Sequence, residues 1–87
     1  MNNEYLYSLA RDKWGDDAQL TVAIEELSEL IKEICKIKRG IGDDVTLAEE
    51  IADVEIMCEQ LRYIFNIDLA VDTWKESKLT RLADRLK

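Results

Sequence analysis

The sequence predicts an all-α fold, an antiparallel bundle of about four helices. Three observations carry this. Apolar residues recur at helical spacing through almost the whole chain, and no stretch alternates with the period of two that a strand requires. There is no proline, and the three glycines (Gly15, Gly40 and Gly42) fall between the apolar patterns as punctuation. The connections between patterns are short, which places consecutive helices side by side and antiparallel.

The first helix is expected from about Asn3 to Lys13, with Tyr5, Leu6, Leu9 and Ala10 as its apolar stripe, stopping before Gly15. Asp16 then reads as an N-cap, with Gln19 three residues on completing a capping box. The second helix follows from Asp17 to about Lys38. Leu20, Ala23, Ile24, Leu27, Leu30, Ile31, Ile34 and Ile37 fill one broad face of it, with Glu26 and Glu33 at the edge and Glu29 just beyond. Lys36, Lys38 and Arg39 lie in its last turn, where cations suit the helix dipole, and Gly40 closes it.

After a loop over residues 40–45, Thr46 and Glu49 form a second capping box and open a helix to about Phe65. Its apolar face holds Leu47, Ile51, Val54, Met57, Cys58, Leu61 and Phe65. Asn66 suits a left-handed close. Asp68 suits a cap for a fourth helix to Leu86, whose apolar positions are Val71, Trp74, Leu79, Leu82, Ala83 and Leu86.

Eighty-seven residues make one domain, residues 1–87, and 47% hydrophobic with 36% charged residues is a globular composition. So short a chain buries a limited core, so a homodimer or homotetramer is expected. Ile41, Val45, Ile56 and Tyr63 fall off the main apolar faces and are candidates for contacts between copies. A net charge of −7 argues against a nucleic-acid polymer as partner. No apolar run approaches the ~20 residues that span a bilayer. Cys35 and Cys58 fall on apolar faces and read as packing residues; two lone thiols and no leader pattern suit a cytoplasmic location.

The chemistry-bearing residues are two carboxylate pairs. Glu26 and Glu29 on the second helix, and Glu50 and Asp53 on the third, are each three residues apart and so neighbours on a helix surface. Glu50 falls inside its helix's apolar arc, where an aliphatic residue would be ordinary. A buried, unpaired carboxylate is costly and either takes a proton or meets a cation. With the loop at 40–45, Glu29 stands roughly opposite Glu55 and within about two turns of Glu50. Four converging acids with no histidine favour a hard divalent ion, Mg²⁺ or Mn²⁺. The plainer reading of such acids is a solvated helix face.

Glu25-Glu26-x-x-Glu29 followed by Glu50-x-x-Asp53 resembles the signature of the MazG-type, all-α nucleoside triphosphate pyrophosphohydrolases. Trp14-Gly15 and Gln19 ahead of the first half, and Glu50-Ile-Ala-Asp-Val54, fit the same resemblance, which covers roughly residues 10–86. It implies hydrolysis of a nucleoside triphosphate to the monophosphate and pyrophosphate, with Glu26, Glu29, Glu50 and Asp53 as the catalytic Mg²⁺ ligands. Glu25 points away from Glu26 on the wheel and takes an auxiliary place. The resemblance further suggests Lys78 and Arg81 as phosphate contacts, while Lys38 or Arg39 is a separate candidate over the site. Gln19 and Trp14 are candidates for holding the base, Gln19 also being accounted for by its capping box and Trp14 by packing. A non-catalytic helical assembly or regulatory module is the alternative. A di-iron carboxylate bundle is disfavoured because the chain has no histidine.

Overall fold

The computed structural model describes residues 2–87. It is all-helical: α1 (Asn3–Trp14), α2 (Asp16–Lys38), α3 (Asp44–Phe65) and α4 (Asp68–Arg85). The predicted class and helix number stand, and the boundaries agree to within about three residues, the largest difference being the start of α3.

The caps differ in detail. Asn2 caps α1, its side chain accepting from the Tyr5 N–H at 2.8 Å. Gly15 separates α1 from α2 with φ 86° and ψ 162°, a conformation that only glycine adopts without strain. Asp16 is not the cap of α2: its carboxylate takes a two-point grip from Arg11, at 2.6 and 2.9 Å, and stitches the α1–α2 corner. The Gln19 N–H is satisfied by the Gly15 carbonyl. Gly40, at φ 76°, closes α2 as expected.

At α3 the cap is Asp43, accepting from the Thr46 N–H at 2.8 Å and from its hydroxyl at 3.1 Å, so Thr46 is the donor and the helix opens earlier than the Thr46 reading implied. Asn66 ends α3 in the left-handed conformation, φ 53° and ψ 47°, as predicted. Asp68 does not cap α4. It binds Arg62 at 3.1 Å, and Arg62 also holds Asp72 at 2.8 Å, so one guanidinium pins the start of α4 to the end of α3.

α2 and α3 form the long antiparallel pair at the centre, α1 rests against both, and α4 approaches only α3. The packing is inverted relative to an ordinary globule. Ala23 (4% exposed) and Met57 (7%) are the buried apolar residues, and they are joined inside by Gln19 and Glu33 (6% each). Most of the arc read as core on α2 faces outward: Ile24, Leu27, Ile31, Ile34 and Ile37 are exposed. So are Trp74, Leu79, Leu82 and Leu86 on α4. Cys35 and Cys58 are exposed as well, correcting the expectation of buried thiols: Cys35 lies on an uncovered side of α2, and Cys58 lines an open cleft between α1, α3 and α4.

The surface reflects this. A folded monomer of 10.1 kDa exposes about 5,300 Å² by the usual scaling, whereas this chain exposes 6877 Å². Its radius of gyration is 15.7 Å, against about 12 Å for a compact domain of this length. Among the described residues no helix is long and apolar enough to cross a membrane.

Candidate metal centre

The inward stripe of α2 runs Gln19, Ala23, Glu26, Leu30, Glu33, at the three- and four-residue steps that keep one face in register. The facing stripe of α3 is Glu50, Asp53, Met57 and Gln60. Polar side chains therefore line the seam between the two central helices.

Glu26, Glu50 and Asp53 converge there, each offering a carboxylate oxygen within 4.8 Å of the others. All three are half-buried. Glu50 Oε2 is buried with no hydrogen-bond partner. Partial burial pushes the Glu26 carboxyl above its ordinary value, with further upward pressure from the charge of Asp53, a hydrogen bond to it, and the charges of Glu50 and Glu29. Burial likewise raises Glu50, followed by the charges of Asp53, Glu29, Glu49 and Glu33. None of these principal influences is a cation.

Glu29 sits on the exposed rim of this group: its charge reaches Glu26 and Glu50, but it is not among the three converging side chains. Glu25 is exposed and outside the group. Gln19 is buried on the same seam. Trp14 is exposed at the end of α1, with the Lys13 ammonium 5.3 Å from its ring centre. Lys78 and Arg81 lie on α4, which makes no close approach to α2 among the described residues, so one chain does not bring them to the acids. Lys78 lies 5.9 Å from the Trp74 ring centre instead.

Two seam residues were not singled out as site residues from the sequence. Glu33 is buried, its charge acts on Glu50, and it binds Lys36 at 3.3 Å. Its signal was the seven-residue step from Glu26, two turns along one face. Gln60 Oε1 is buried without a partner; the signal was the seven-residue step from Asp53, two turns along one face.

A cleft of about 1170 Å³ opens on the other face of α3, between α1 and α4. Its guanidiniums are already committed, Arg11 to Asp16 and Arg62 to Asp68 and Asp72, and its Tyr7 donates to Glu59. The chain matches no family model, no curated protein and no solved structure.

Proposed function

We propose that this chain is a Mg²⁺-dependent nucleoside triphosphate pyrophosphohydrolase of the MazG-like type, working as a homo-oligomer. The single observation that carries the reading is the convergence of Glu26, Glu50 and Asp53 around a buried, unpartnered Glu50 oxygen. An orphaned carboxylate oxygen among like charges is unfavourable by itself and fits a cation. An oxygen-only donor set selects a hard one, Mg²⁺ or Mn²⁺. The MazG-like signature supplies the reaction class.

Glu26, Glu50 and Asp53 hold the ion in this reading, and Glu29 joins from the rim. When bound there, a divalent ion would supply charge neutralisation of the polyphosphate and would help activate the attacking water. A carboxylate of the same group is placed to accept the proton of the attacking water. Lys78 and Arg81 reach phosphates only from another copy, and Gln19 and Trp14 remain the candidates for the base.

The oligomer has its own support. The surface in excess of a monomer's is about 1,600 Å² per chain, roughly twice what each partner of a standard interface buries. Leu20, Ile24, Leu27, Ile31 and Ile34 recur at coiled-coil spacing on the outward face of α2, a seam suited to a second copy. Ile41, Val45 and Ile56 are exposed and available to the same end.

The test is hydrolysis of a panel of ribo- and deoxynucleoside triphosphates with Mg²⁺, for the wild type and Glu50→Gln. Monophosphate and pyrophosphate from the wild type alone support the assignment. No hydrolysis, with no change of melting temperature on adding Mg²⁺, refutes it in favour of a non-catalytic assembly module.

A further inference from the structure

We propose that Lys36 is the residue that grips the β- and γ-phosphates, so that the triphosphate end of the substrate lies along the α2–α3 seam toward the 40–43 loop. This rests on the metal-site reading above and gives that site a direction.

No cation is among the principal influences on Glu26 and Glu50. A substrate carrying several negative charges needs a fixed positive group beyond the metal, one that meets oxygens the metal does not. Lys36 lies one turn past Glu33, at the edge of the inward stripe of α2. It is half-buried, its ammonium meets the buried Glu33 carboxylate at 3.3 Å, and its charge also reaches Asp43 in the loop. Glu33 in turn is felt by Glu50. Lys36 is thus the cation tied to the seam itself.

The other bases stand elsewhere. Lys38 and Arg39 are exposed on the last turn of α2. Lys78 and Arg81 are carried by α4, away from α2. Arg11 is held by Asp16 at the α1–α2 corner, and Arg62 by Asp68 and Asp72 where α3 meets α4. A lysine also suits the task mechanically. Its flexible stem lets the ammonium exchange one anionic partner, the Glu33 carboxylate, for another at the same end of the seam. In the opposite direction the seam ends in the carboxamides of Gln19 and Gln60, neutral groups suited to a base and unsuited to phosphates.

The probe is inorganic pyrophosphate, the product common to every substrate of this reaction, titrated calorimetrically into the protein with excess Mg²⁺. Lys36→Gln weakens pyrophosphate binding about tenfold or more, since a charge-assisted contact is lost. Lys36→Arg restores most of it. In both variants the Mg²⁺-induced rise in melting temperature and the inhibition by nucleoside monophosphate stay at wild-type values. Unchanged pyrophosphate affinity in Lys36→Gln overturns the assignment of Lys36 while leaving the metal site standing. A wild type that shows no Mg²⁺-induced rise overturns the metal-site reading, and this inference with it.

Discussion

Ile31 offers the sharpest perturbation of the assembly. It stands mid-way along the outward stripe of α2, 62% exposed in the single chain. Burying an isoleucine side chain fully contributes about 2.5 kcal/mol, so the exposed fraction leaves about 1.5 kcal/mol for a partner to claim. A two-fold interface counts the residue once from each copy, about 3 kcal/mol per dimer, or about two orders of magnitude in dissociation constant. Ile31→Gln keeps a good helix former and disturbs nothing inside the chain. Sedimentation velocity across a dilution series should show a wild-type oligomer and an Ile31→Gln dissociation midpoint about a hundredfold higher. A wild type that sediments as a monomer throughout, or a variant with an unchanged midpoint, refutes the argument that the outward face of α2 is an interface.

Three further outcomes follow from the same geometry. Glu26 and Glu50 hold protons to a higher pH folded than unfolded. In chelator the melting temperature should therefore fall as pH rises from the ordinary 4.5 through the raised folded values, and Mg²⁺ should reverse that slope at neutrality. A wild-type profile indifferent to Mg²⁺ would count against the shared site. Asn66→Val should destabilise by about 1–2 kcal/mol in urea unfolding, because a β-branched residue resists the left-handed conformation, while Asn66→Gly should be neutral or better. Tyr7, raised to about 12 by partial burial and then by its hydrogen bond and charge interaction with Glu59, should ionise late in an ultraviolet titration, and Glu59→Gln should bring it earlier.

The helices were legible because their signals are local. Gly15, Gly40 and Asn66 mark the breaks by backbone conformation alone, and helical spacing does the rest. Caps were less legible, since the same side chain has competing uses. Asp16 had Arg11 five residues back and Asp68 had Arg62 six residues back, each brought into reach by a corner whose geometry spacing alone does not give. The site was half legible. Glu50 betrayed itself as an acid in an apolar arc, and it is the acid whose oxygen stands buried and alone. What a helical wheel could not show was which flank of a broad apolar arc would turn inward. With Ile24 and Ile31 beside Glu26 and Glu33, burial of the isoleucines is the ordinary expectation, and only the pairing of α2 with α3 decides for the acids.

The inverted seam carries a warning for anyone engineering the chain. Replacing solvent-facing isoleucines and leucines with lysine or glutamate is normally a safe route to better solubility. Under the proposed assembly the same edits at Ile24, Leu27 or Ile31 would remove the face offered to a second copy and leave well-dispersed single chains. Conversely, swapping Glu33 or Gln60 for leucine would toughen the helical pair at the expense of its polar seam. The usual guide to safe substitution, polar outside and oily within, reads backwards along these two helices.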